Sequence, residues 1–300
     1  MENTRKLKKL YRGSRFNAFD VILYILLFIF ALLCLYPLWF VLIGSFNEGT
    51  DYSAGGVYFF TRKFSFASYR LVFSDTSLYK AILVTIGRTV IGTVTSTLFT
   101  AIVAYGMSQR DLFHKKFFYW FNVFTMFFGG GLIPFFLLIV NLGLYDSFWV
   151  YIIPGLYSVY NMIVISTYYK SIPYELKESA IIDGANEWTI FFKLYFPLAI
   201  PILATVALWT AVGHWNSYYD TMIYTTNPDL HTLQYYLMRL IKLSSMPDST
   251  SSMPPEVLKE VISTTISYAA IIISCIPVIF FFPVVQKIYF KEDLTKGSVK

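Results

Sequence analysis

The chain has 300 residues, of which 56% are hydrophobic and only 14% charged, against about 25% charged in ordinary soluble domains. So few charges cannot cover a water-facing surface, which excludes a soluble globular domain and a disordered chain, and the two cysteines exclude a disulfide scaffold. With a mean hydropathy of +0.56, the composition is that of an integral membrane protein. The net charge of +6 then reflects basic residues placed between apolar runs, not a nucleic-acid-binding face.

Six apolar runs are long enough for a bilayer core, which needs about 20 residues of helix. They cover residues 21–46, 81–107, 117–145, 147–169, 194–219 and 261–286. The first run, 26 residues long, exceeds the roughly 7–15 residues of a signal-peptide core and is read as a retained span. Cys34 and Cys275 fall inside apolar runs and are read as free, buried thiols. Breakers interrupt several runs: Gly129-Gly130-Gly131 and Pro134, then Pro154, then Pro197 and Pro201, then Pro277 and Pro283. Backbone groups freed at such breaks cannot face lipid, so these positions are expected to face other helices or a wet cavity.

The basic residues give the chain an orientation. Six lie in the N-terminal tail, three after the second run, three after the fourth and four in the C-terminal tail, sixteen on one side in all. The opposite side carries seven. An excess of Lys and Arg marks the cytoplasmic side, which predicts a basic cytoplasmic tail at 1–20, a six-span domain at 21–290 and a cytoplasmic tail at 291–300. The segments 47–80 and 220–260 are then long outer loops, suited either to an outside partner or to closing the bundle at the membrane surface.

Segment 171–201 carries the most informative pattern, SIPYELKESAIIDGANEWTIFFKLYFPLAIP. Ser171 and Pro173 suit a helix start, Gly184 a stop, and Asn186 a second start with Glu187 in its first turn. A short helix is therefore predicted between the fourth and fifth runs. Ala180 and Gly184, four apart, are expected on one face where a partner's surface can approach closely, with the Glu178 carboxylate beside it. The alternative from the residues alone is a connecting helix lying on the membrane.

Glu178-Ser179-Ala180, then Gly184 three residues on, then Leu194-Tyr195-Phe196-Pro197 resembles the EAA loop of binding-protein-dependent ABC importer permeases. The family pattern is Glu-Ala-Ala, three residues, Gly, nine residues and Ile-x-Leu-Pro. Ser179 and Leu194 keep the size class of that pattern, whereas Phe196 is bulkier. Asp183-Gly184-Ala185, Ala104-Tyr105-Gly106-Met107-Ser108, Gly130-Gly131-Leu132-Ile133-Pro134, Leu142-Gly143-Leu144 and Trp215-Asn216 are similar to positions of the carbohydrate branch. Within that branch the chain is most similar to permeases for oligosaccharides, including acidic ones such as aldouronates.

The resemblance implies an all-α integral membrane protein of the type I ABC importer permease fold, in the bacterial cell membrane, with six transmembrane helices and both termini cytoplasmic. It implies a transport subunit that is not itself an enzyme, forming half of a path for a sugar delivered by an extracytoplasmic binding protein. Glu178, Ser179, Ala180, Asp183, Gly184, Ala185 and Pro197 would couple it to a cytoplasmic ABC ATPase dimer. ATP and Mg belong to that ATPase and no cofactor to this chain, which carries no Gly-x-x-x-x-Gly-Lys-Ser/Thr loop. A second, non-identical permease would complete the pore.

Arg88 is the sole fixed charge inside a run. It is expected either to face the bundle interior in a substrate or gating role or to snorkel to the outer interface. His214, Trp215, Asn216, Tyr218 and Tyr219, followed by Asp220, cluster at one end of the fifth run. Aromatic faces beside amide and carboxylate groups suit a sugar, and suit an interfacial aromatic belt equally. His114 and His231 lack ligand-spaced neighbours, so no metal site is expected. A same-architecture permease for a peptide, polyamine or anion is the alternative within transport. An intramembrane enzyme would need more ionisable groups at depth than Arg88 and His214.

Overall fold

The computed structural model describes residues 18–244 and 264–279. Among the described residues the chain is helical, with one isolated bridge, Asn47 to Phe64, outside the helices. It divides into two compact units, residues 1–69 with 250–272 and residues 70–249 with 273–300.

The first unit is built on α1 (Ala18–Ser45), whose apolar stretch buries nothing within this chain. A helix that is hydrophobic all round requires lipid or another protein around it. Cys34 is accordingly exposed, and Cys275 half-buried, which corrects the expectation of buried thiols; both are free. Beyond α1 the chain folds back. Phe46 stacks on Phe64 and Tyr69 at centroid distances of 5.5 and 4.9 Å, and Arg62 pairs with Asp51 at 3.1 Å. The start of a further helix, Thr264–Ile279, joins this unit through Ser68 donating to Thr265 at 2.9 Å. Tyr58, Phe59 and Phe60 are left exposed.

The second unit is organised around α4 (Thr76–Ser108), after the short helices α2 (Gly49–Ser53) and α3 (Ala67–Ser74). Asp75 caps α4 by accepting from the Ser77 N–H at 2.8 Å. Against α4 pack α7 (Val159–Ser171) and α10 (Ile200–Asn216). Ala101 and Ala104 let the helices approach around Met162, Ile165, Leu203 and Val206. At Gly92 a Cβ would lie 2.5 Å from His214 Nε2, so α10 crosses α4 closely there and a larger residue would have to displace the His214 ring.

Three of the apolar runs are not single straight helices. Run 117–145 breaks into α5 (Lys115–Phe127) and α6 (Leu132–Asn141), bent by 110° at the three glycines. Run 147–169 is a 3₁₀ turn (Phe148–Tyr151), an irregular stretch through Pro154, and then α7. In the fifth region α9 (Glu187–Leu198) and α10 meet at 79° at Ala199, between Pro197 and Pro201. Of run 261–286, helix is described over Thr264–Ile279; Pro283 lies outside the described residues. Helices long and apolar enough to cross a membrane unbroken are α1 and α4 among the described residues.

The expected outer segment 220–260 begins with α11 (Tyr219–Tyr224) and ends its described part with α12 (Leu233–Ser244). It is tied down by polar contacts. Leu233 N–H donates to Thr85 Oγ1 at 2.8 Å, and Tyr236 O–H to Asp75 at 2.8 Å. Asp146, in the left-handed region at φ 57°, accepts from the N–H groups of Thr226 and Asn227 at 2.9 and 2.8 Å. The stretch 245–255 and both tails lie outside the described residues.

Asp146→Ala loses these acceptors and strains the left-handed backbone. Asp146→Asn keeps an acceptor and tolerates that conformation. The detergent-solubilised protein should therefore melt clearly lower as Asp146→Ala and near wild type as Asp146→Asn. Equal melting of the two would show that the clamp does not hold the loop.

Candidate functional site

The loop between α7 and α9 follows from its breakers. Pro173 forces Ile172 into an extended conformation and ends α7 at Ser171. Ser171 does not cap the next helix, contrary to expectation; its hydroxyl donates back to Tyr168 O at 2.7 Å. Helix α8 (Tyr174–Ile182) starts on Pro173 without a side-chain cap. Its C-terminus closes on Gly184 at φ 80°, with Gly184 N–H donating to Ile181 O and Ala185 N–H reaching back to Ala180 O, both at 2.9 Å. Asn186 caps α9 as expected, accepting from Thr189 N–H at 2.8 Å.

Gly184 therefore lies outside the helix, in the turn, and does not share a helical face with Ala180. The space a Cβ would occupy at Gly184 is open to 4 Å. Glu178, Ser179, Asp183 and Gly184 are exposed, whereas Ala180 and Ala185 pack against the core beneath. Ser179 turns its hydroxyl onto Glu175 O. Pro197 is exposed in the last turn of α9, just before the bend. Leu176, Ile181 and Ile182 are exposed, Ile182 at 85%.

What holds α8 in place was not among the expected site residues. Lys177 is 4% exposed, pointing inward from a helix whose other charges face out. Its ammonium donates to Gln109 Oε1 at 2.6 Å and pairs with Glu187 at 2.9 Å. Glu187 also accepts from the Tyr105 hydroxyl, and Lys177 lies over the Tyr105 ring at 5.8 Å. One cation thus ties α8 to the end of α4 and to the start of α9. Burial raises the Glu187 pKa, but the Tyr105 hydrogen bond and the Lys177 charge outweigh it and hold the carboxyl below its usual value.

The residues expected to line a sugar path differ in burial and partners. Arg88 is 2% exposed, so it neither snorkels nor contacts lipid. It pairs with Asp220 at 2.6 Å, donates to Ser217 O at 3.3 Å, and sits 4.6 Å from the Tyr151 ring centroid. His214 packs on Gly92. Trp215 is buried and donates to Ser274 O at 3.3 Å. Asn216, Tyr218 and Tyr219 are exposed. No group of His, Cys, Asp and Glu suited to a metal occurs among the described residues.

These features define a helical membrane subunit with a short, outward-facing helix tied to its core by Lys177. Residues 102–291 match the family described as binding-protein-dependent transport system inner membrane component. The chain is 37% identical over 287 residues to the polygalacturonan/rhamnogalacturonan transport system permease protein YtcP of Bacillus subtilis (strain 168), covering 94% of this chain and 98% of that protein. It is 31% identical to protein LplC of the same organism, over 88% of each. A solved chain from a bacterial ABC transporter involved in the import of the acidic polysaccharide alginate superposes with a TM-score of 0.84 at 34% identity, covering 92% of this chain and 98% of that one. The chain belongs to the binding-protein-dependent transport system inner membrane component family: it is a permease subunit of the bacterial membrane with the ABC importer permease fold.

The depressed Glu187 pKa means the Lys177–Glu187 pair stabilises α8 above the unfolded carboxyl value of 4.5 and loses that contribution as pH falls through the folded value. Hydrogen exchange of amides 177–187, corrected for intrinsic rates, should be slow at neutral pH and accelerate below about pH 4.5. Glu187→Gln should remove most of that pH dependence; an unchanged profile would show the pair is not what orders the loop. Separately, Asp220→Ala leaves the Arg88 charge buried without its partner, a loss of about 3–5 kcal/mol. It should melt far below the double variant Arg88→Met/Asp220→Ala.

Proposed function

We propose that this permease carries an acidic oligosaccharide, delivered by an extracytoplasmic binding protein, and that α8 is the helix through which a separate ATPase drives it. The single observation that carries the coupling assignment is the division of labour in 174–187. Lys177 is buried and locked to Gln109 and Glu187, while Glu178, Asp183 and Gly184 stand exposed. A helix held rigidly on one face and bare on the other transmits force from whatever docks on it. The substrate class follows from the similarity to a polygalacturonan/rhamnogalacturonan permease and to an alginate importer.

In this reading the sixteen-to-seven split of basic residues puts the α8 loop and both tails in the cytoplasm. The bent pairs α5–α6 and α9–α10 then serve as membrane passes, giving six with α1, α4, α7 and the helix from Thr264. Their broken ends face protein, not lipid. The bare apolar surface of α1 is where lipid and a second, non-identical permease would sit. Closure of an ATPase dimer on ATP would push α8, and the Lys177 ties would pass that movement to α4 and α9. ATP and Mg act in the ATPase; Glu178 and the left-handed turn at Gly184 supply the contact on this chain.

Glu178→Lys should leave expression and melting near wild type yet reduce uptake of labelled oligogalacturonate in proteoliposomes at least about tenfold, the effect of an interface charge reversed. Gly184→Trp should do the same. Gly184→Asn accepts the left-handed backbone and fits the open space, so it should retain most transport. Normal uptake in both Glu178→Lys and Gly184→Trp would refute the coupling role. Competition by neutral or peptide solutes, and not by acidic oligosaccharides, would refute the substrate class.

A further inference from the structure

A cavity of about 240 Å³ opens beside the coupling loop, between the end of α4, the start of α5, the end of α7 and the first residue of α8. We infer that this cavity binds a phosphate group, held by Arg110, Lys115 and Lys170 together with the hydroxyl of Tyr169. The three cations come from three different elements and converge on one space. The acidic groups nearby are Asp111, which accepts from the Tyr174 hydroxyl at 3.4 Å, and Glu187, whose charge reaches Tyr195 in the wall but is paired with Lys177. Positive charge is therefore in excess.

Two details point to an anion rather than to water alone. Tyr169 lines the cavity and is 1% exposed, yet its hydroxyl has no hydrogen-bond partner. Buried hydroxyls are nearly always paired, because an unpaired one keeps its full desolvation penalty. Lys115 donates to Ser108 O at 3.2 Å and to Gln109 O at 2.5 Å, which leaves one of its three protons for a ligand. Burial, and then the Lys170 charge, pull the Lys115 pKa down against the smaller effect of Asp111; a bound anion would restore it.

The donor set selects phosphate. Several separate donors around one small space match a tetrahedral anion with several acceptor oxygens, whereas a single carboxylate is planar and offers two. Arg110 lies over the Tyr174 ring at 4.4 Å, which fixes its guanidinium at the rim. Occupancy would also reach the coupling loop. Gln109, in the cavity wall, accepts the Lys177 ammonium, and Tyr174 begins α8. That consequence rests on the coupling reading, but the binding itself does not.

The phosphate could be a lipid headgroup or a soluble ion, and two arms separate them. The complete transporter is placed in phosphatidylcholine nanodiscs, without nucleotide, and titrated with inorganic phosphate by calorimetry. In parallel, nanodiscs containing phosphatidylglycerol are analysed by native mass spectrometry for retained anionic lipid. Wild type should bind in one arm, which identifies the source. Arg110→Gln/Lys170→Gln should weaken that binding at least about tenfold. Tyr169→Phe, which removes one oxygen and no packing, should weaken it roughly three- to tenfold with unchanged melting. No binding in either arm, or equal binding by wild type and variants, would overturn the assignment. Neither readout uses ATP hydrolysis, so failure here is distinct from failure of the coupling role.

Discussion

Everything about the exposed loop depends on taking one lysine out of water. Lys177 sits on a nine-residue helix that is too short to be stable alone. A buried ammonium is tolerated only when its protons are taken up, and here Gln109, Glu187 and the Tyr105 ring receive it. Hydrogen bonds to a charged group contribute about 1.5–3 kcal/mol each when formed. They convert a marginal helix into a fixed one without using its outer face. The same contacts run to the ends of α4 and α9, so the helix cannot shift without moving elements that reach deep into the bundle.

Broken helices do the complementary work. The 110° bend at Gly129–Gly131 and the 79° bend at Ala199 leave unpaired backbone groups that a lipid-facing helix could not carry. Such breaks need protein or water beside them, although within this chain α5 buries no residue and α6 only Ile139. The unbroken helices α1 and α4 differ in role: the apolar stretch of α1 is bare within this chain, and α4 is the post on which α7 and α10 pack. Arg88, within α4, is the charged counterpart of Lys177, which is tied from α8 to the end of that helix. It is held by Asp220, Ser217 and the Tyr151 ring, contacts that bind α4 to α11, while its buried Nε–H has no partner.

Much of this was legible in the residues. Run lengths placed α1 and α4, and the glycine and proline clusters marked where runs 117–145 and 194–219 bend, although composition could not say by how much. The spacing from Glu178 to Pro197 located α8 and its turn. Gly184 was read as helix surface because spacing alone cannot distinguish the last helical residue from the first left-handed one; the reach of Ala185 N–H to Ala180 O decides that. Lys177 was read only as a marker of topology. Nothing in its local sequence says it points inward, since Gln109 and Tyr105 lie about seventy residues away and meet it only once α4 and α8 are docked. The expected path residues at 214–219 also meet surroundings that their spacing does not reveal. Adjacent positions on a helix face different directions, so His214 and Trp215 reach different neighbours.

The central claim is that the outer face of α8 is an ATPase contact. In a background with Cys34 and Cys275 replaced by serine, Glu178→Cys can be paired with single cysteines across the cleft surface of the partner ATPase and oxidised in membranes. Position 178 should give a cross-link whose yield changes when ATP is bound, and Lys177→Cys should give none. No cross-link from position 178 to any ATPase position, with or without ATP, would contradict it.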